Sequence, residues 1–223
     1  MVKKLKNSKQ RKKTVLKVLL GIVIVALLCL SSIFVYKKFF TKEEKKMITV
    51  EILDSVSDYN YVLSDKDGKL YKEEYEKLKT IIEADEVIVE DYVKQVAKLF
   101  VIDLYTMNSK MNKYDIGGAE FYYADKRSMF EQKVMDTLYS TLLDDTYGDR
   151  KQELPEVSAV ELVLCEPSKY KLGEIQKESY LVKLKINYVK DMGYDKNASV
   201  MIVKEDGVRW SVVDFQPTLN PKY

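Results

Sequence analysis

The chain predicts an α+β protein in which one apolar N-terminal helix is followed by helices packed on an antiparallel sheet. Three observations carry this. Residues 18–36 hold no charge and are fenced by Lys17 and by Lys37-Lys38. From about residue 70 to 142, apolar residues recur at spacings of three and four; from Val157 onward the period becomes two.

At about 1.5 Å of rise per residue, 18–36 makes a helix of roughly 28 Å, close to the hydrocarbon thickness of a bilayer. The reading is a transmembrane helix. The tail 1–17 carries Lys3, Lys4, Lys6, Lys9, Arg11, Lys12, Lys13 and Lys17 and no acidic residue, whereas Glu43 and Glu44 dilute the lysines that follow the run. This bias predicts a single-pass protein of the cell membrane with a cytoplasmic N-terminus and an extracytoplasmic C-terminal domain. Residues 37–47 then form a charged stalk, 48–216 the α+β domain and 217–223 a C-terminal tail. Two other readings are a signal peptide cleaved near Ser31-Ser32, past which Ile33-Phe34-Val35 continue the apolar run, and a lipoprotein anchored through Cys29, where Leu28 occupies a small-residue position.

Composition narrows the function. The 37 Lys and Arg against 35 Asp and Glu give a net charge of +2, but without the eight basic residues of the tail 29 remain against 35, a net −6. The basic tail suits anionic head groups of a lipid bilayer; the acidic remainder lacks the footprint of a nucleic-acid binder. Cys29 lies in the apolar run and Cys165 in the domain, so no intramolecular disulfide is expected, which suits a bacterial envelope more than a eukaryotic secreted protein. The chain has no histidine, which removes histidine-based triads and nearly all zinc sites. Its eight glycines never reach a phosphate-loop spacing. Asp65-Lys66-Asp67-Gly68 brings the glycine too early for a calcium loop and reads as a solvated turn. No cofactor and no metal are expected.

Within the domain, Ile48, Val50 and Ile52 alternate as a short strand. After the turn at 64–69, Tyr71, Tyr75, Leu78 and Ile82 make one face of a surface helix. The central helix runs from about Ile88 to Met111 on Val89, Val93, Val96, Phe100, Leu104, Met107 and Met111, and Gly117-Gly118 forces a bend. A third helix starts near Asp125 as its cap and passes through Phe130, Val134, Leu138 and Leu142. Strands follow: Val160 to Leu164, ended by Glu166-Pro167; Tyr180 to Tyr188; Val200 to Val203; and, after an Asp206-Gly207 hairpin turn, Arg209 to Phe215.

Helices 90–100, their continuation to Tyr114-Asp115 and the restart at 123–130, placed before a meander of strands, resemble the nuclear transport factor 2 superfamily. That resemblance implies a cone: N-terminal helices filling the concave side of a curved antiparallel sheet, over roughly residues 70–216. With a basic tail and apolar run in front, the chain also resembles the bitopic envelope subunits of type IV secretion and conjugation machines, which implies a non-enzymatic assembly role with other envelope proteins as partners, a homo-oligomer being one option. Enzymes of the fold place carboxylates and tyrosines in the cone, so the candidate pocket residues are Asp103, Tyr105, Tyr122 and Tyr123. Asp103 falls beside the apolar stripe of the central helix, where a carboxylate either serves as acid or base or is hydrogen-bonded to a loop or a tyrosine hydroxyl. Two functions remain: a structural or assembly protein, or a small-ligand binder or enzyme using the cone pocket. Burial of Met107, Phe130 and Trp210 would favour the first; a pocket lined by unpaired polar groups would favour the second.

Overall fold

The computed structural model describes residues 17, 19, 21–33, 36, 46–56 and 58–217. The chain divides into two units, Met1–Lys46 and Met47–Tyr223. In the first, residues 21–33 lie in helix α1, and residues 17, 19 and 36 are helical as well. Among the described residues no helix is long and apolar enough to cross a membrane. This overturns the predicted transmembrane helix and the single-pass placement in the cell membrane that rested on it. Tail residues 1–16, stalk residues 37–45 and C-terminal residues 218–223 lie outside the described residues.

The second unit is α+β, with two antiparallel sheets. A small hairpin pairs β1 (Ile52–Val56) with β2 (Tyr61–Ser64). The expected strand at 48–52 is therefore displaced, because the Ile48 N–H leaves the hairpin and donates to the Thr146 carbonyl at 2.9 Å. Helix α2 (Lys69–Ile82) buries Tyr71, Tyr75, Leu78 and Ile82, the predicted stripe.

Helix α3 (Val89–Tyr105) is the centre of the unit. Tyr92, Val93, Val96, Ala97, Leu99, Phe100, Val101, Ile102, Leu104 and Tyr105 are all buried, so nearly its whole circumference past the first turn is enclosed. It packs against α2 on one side and against the four-stranded sheet on the other. A helix apolar on so many sides has its place in a core. It stops at Tyr105 instead of reaching Met111, because the Met107 N–H turns to the Pro155 carbonyl at 3.0 Å and the helical ladder loses its next donor. Met107 itself remains fully buried.

Gly117-Gly118 therefore does not end the helix; it docks the returning loop onto it. A Cβ on Gly117 would lie 2.1 Å from the Asp103 carbonyl oxygen. Gly118 has φ +77°, and its Cβ would lie 2.7 Å from the Phe100 ring. Only glycine permits both the approach and the left-handed turn.

Helix α4 (Ala124–Asp136) begins one residue before the predicted cap. No side chain caps it; Asp125 sits in its first turn, where a negative charge suits the helix dipole. Its entry is set by the sheet, since the Tyr123 N–H donates to the Val212 carbonyl at 2.8 Å. The predicted continuation to Leu142 breaks into turns, through which Tyr139 is wholly buried and donates its hydroxyl to the Leu104 carbonyl at 2.8 Å.

Four strands complete the fold in the order β3 (Val157–Leu172), β4 (Ile175–Tyr188), β5 (Asn197–Lys204) and β6 (Trp210–Pro217). Register places Val160 opposite Ile186, Leu162 opposite Leu184 and Cys165 opposite Val182, with a slip at Val163 that leaves it 63% exposed. β3 does not end at Pro167. That residue pairs with Tyr180 and the strand continues to Leu172, which is possible because β3 is an edge strand and an imino acid there leaves no ladder donor missing inside the sheet. Val182, Leu184, Ile186, Val200, Ile202 and Val212 form the buried face beneath α3.

Candidate functional site

A cavity of about 380 Å³ lies between α4, the end of α3 and β6. α4 turns Lys126, Met129, Phe130, Lys133 and Val134 toward it, and Thr137 and Leu138 continue that face. This is the three-and-four spacing of one helix side. Only Phe130 and Val134 on α4 are buried, so the helix covers this space without filling it. Leu104 and Tyr105 close one wall, Val213, Asp214 and Phe215 another, and Tyr122 and Asp195 enter from loops.

Aromatic rings organise the walls. Tyr122 stacks on Phe130 with centroids 4.1 Å apart and planes at 12°. Phe100 lies behind them, 5.7 Å from Phe130 and edge-on to Phe215 at 5.2 Å. Tyr105 meets Phe215 at 6.2 Å and Tyr188 at 6.3 Å, both near-perpendicular contacts of the kind that ring quadrupoles favour.

The polar atoms of this wall face one another. The Tyr105 hydroxyl donates to Asp195 Oδ2 at 3.2 Å, the Tyr188 hydroxyl to the Asp195 carbonyl at 2.7 Å and the Tyr122 hydroxyl to the Val213 carbonyl at 3.4 Å. Burial raises the Tyr105 and Tyr122 phenols above their ordinary range, so both keep their protons at neutral pH. Burial also raises the Asp195 carboxyl, an effect that the Tyr105 hydrogen bond opposes. At the rim, the Lys126 ammonium donates to the Tyr170 hydroxyl at 3.0 Å and lies over the same ring, and Lys133 is exposed.

Of the four residues expected in a pocket, Tyr105 and Tyr122 line this cavity; Asp103 and Tyr123 do not. Asp103 is engaged elsewhere. Its Oδ1 pairs with the Lys110 ammonium and its Oδ2 accepts the Gly118 N–H at 2.6 Å. Burial alone would depress the Lys110 ammonium, but the charge and hydrogen bond of Asp103 together with the nearby Tyr139 and Asp115 outweigh it and hold Lys110 above the ordinary lysine range. Asp103 thus fastens the 110–118 loop to α3. Tyr123 is half-buried, ties α4 to β6 through its N–H, and carries the Lys177 ammonium over its ring at 5.8 Å. Sequence reasoning missed Asp195 and, though it read Phe130, Val134 and Leu138 as one helix face, did not place that face in a pocket. The face was legible as Met129, Phe130, Lys133, Val134 and Leu138 at helical spacing, whereas nothing local marks Asp195.

A second, polar cavity of about 760 Å³ is lined by Asp58, Asn60, Glu120, Arg127, Glu205 and Arg209 among others. Its charged groups answer one another: Arg209 lies 3.9 Å from Glu205 and over the Tyr61 ring, and both arginines donate to the Glu120 carbonyl. The Glu120 carboxyl accepts the Tyr71 hydroxyl at 2.5 Å and the Val62 N–H at 3.0 Å, and burial pushes its pKa up to about 7. Among the described residues no group of three His, Cys, Asp or Glu side chains could hold a metal ion.

Comparison with known proteins finds no matching family model, no matching curated protein and no matching solved structure.

Proposed function

We propose that the α+β unit is a non-enzymatic binding module that takes a small, largely apolar molecule into the cavity behind α4. The observation that carries this is the cavity itself: about 380 Å³ walled by aromatic and aliphatic side chains falls in the size range of ligand sites. Its two phenols are protonated and already hydrogen-bonded, which supports binding over acid–base chemistry. In the full-length protein, benzyl alcohol should perturb the ring resonances of Tyr122 and Phe130 saturably. Leu138→Trp, which fills the space, should abolish that response without lowering the unfolding temperature. Absence of a saturable response in the unsubstituted protein would refute the proposal.

A second reading is assembly with other proteins, as the resemblance to secretion-machine subunits implies. It is supported by the burial of Met107, Phe130 and Trp210, which closes the part of the interior that an open cone would leave for a substrate.

A further inference from the structure

The charge balance of the cavity behind α4 bears on what enters it. Two carboxylates lie in its wall, Asp195 and Asp214, and neither takes part in an ion pair among the described residues. The lysine next in sequence to Asp195 is committed elsewhere, since Lys196 pairs with Asp191 at 2.6 Å. Two lysines also line the cavity, but Lys126 donates to the Tyr170 hydroxyl and Lys133 is exposed. Tyr105 satisfies one Asp195 oxygen, Oδ2, whereas Asp214 accepts the N–H of Phe215 at Oδ1 and the Gln216 amide at Oδ2, which leaves Asp195 the less satisfied of the two. The wall therefore holds half-buried carboxylates against aromatic faces, while its two lysines pair with neither of them, Lys126 being engaged by Tyr170 and Lys133 exposed at the rim. A carboxylate withdrawn from water and left unpaired is unfavourable, and a cation that arrives with its own apolar body removes that cost. Tyr105, Tyr122 and Phe215 add the negative faces of their rings, which attract ammonium groups within about 6 Å.

Resting on the binding reading above, we infer that the ligand is a small organic amine whose apolar body fills the cavity and whose ammonium group is held by Asp195 beside the Tyr105 ring. A neutral molecule of the same shape would leave Asp195 without a cation, and an anion would gain nothing from it. The raised pKa of Asp195 agrees with a carboxyl that has no cation of its own.

The test compares benzylamine, benzyl alcohol and benzoate on the full chain at pH 7.5, following the Tyr122 and Phe130 ring resonances. Benzylamine should bind at least tenfold more tightly than benzyl alcohol, and benzoate more weakly than either. Asp195→Asn retains an acceptor for Tyr105 and should abolish the preference for benzylamine over benzyl alcohol, with thermal unfolding of the variant reporting that it is folded. Equal affinities for amine and alcohol, preference for benzoate, or an Asp195→Asn protein that keeps the amine preference would overturn the inference while the apolar-binding reading stands. Failure of all three probes to bind would remove that reading and the inference with it.

Discussion

Replacing Asp103 by asparagine tests the interior electrostatics most directly. The substitution keeps the shape and retains an oxygen that can accept from Gly118, but it removes the charge facing Lys110, a residue only 7% exposed. Were Asp103 merely at the edge of the α3 stripe, the change would cost about 1 kcal/mol or less. Breaking a buried ion pair from one side instead leaves an uncompensated charge and costs about 3–5 kcal/mol. With a urea dependence of about 2 kcal/mol per molar for a domain of this size, the midpoint should fall by roughly 2 M. Asp103→Asn combined with Lys110→Met should recover most of the loss, since the stranded ammonium is gone. Because the folded-state pKa of Lys110 is raised, its contribution is fully present below the ordinary lysine pKa and is lost only as pH rises through the higher folded value. The single-substitution cost should thus be the same at pH 6 and pH 8. Urea titrations showing a cost under 1 kcal/mol, or no recovery in the double variant, would refute the pairing argument.

Two further substitutions probe neighbouring features. Glu120 has a folded pKa of about 7 against an ordinary 4.5, so the native state binds more protons between these values and stability should fall as pH rises through that window, by up to about 3 kcal/mol. Glu120→Gln should flatten the profile between pH 4.5 and 7, and an unchanged slope would show that another group titrates. Gly118→Ala meets both a positive φ and the Phe100 ring, so thermal unfolding should show a loss well beyond the roughly 1 kcal/mol of a strained backbone alone.

The periodic parts of the fold were legible in the sequence, and contacts distant in sequence were not. The stripe of α2 and the alternation of β4 follow from side-chain spacing, because an element that buries one face must repeat at its own period. The end of α3 did not follow, since it depends on Met107 finding the Pro155 carbonyl 48 positions away. Pro167 was read as a break, because its tolerance depends on β3 lying at the edge, a property of strand order and not of local sequence. The run 18–36 satisfied the length rule as sequence, yet among the described residues no helix is long and apolar enough to cross a membrane. For the candidate site, Tyr105 and Tyr122 were named, with Tyr123, because the fold resemblance places tyrosines in the cone and these lie near Asp103 in sequence. Asp195 sits in a turn between strands and gains its meaning only from Tyr105, ninety residues earlier.

The outer side of β3 has a consequence for solubility. A long strand with one flank unpaired offers a template on which another chain can stack, the first step toward fibrils. Along this flank Pro167 withholds an amide, the irregularity at Val163 breaks the even spacing of donors and acceptors, and exposed Glu166, Lys169 and Lys171 set charges that an incoming strand would have to accommodate. The imino acid that a one-dimensional reading takes for the end of a strand thus guards the sheet against growing by accretion of foreign or identical chains.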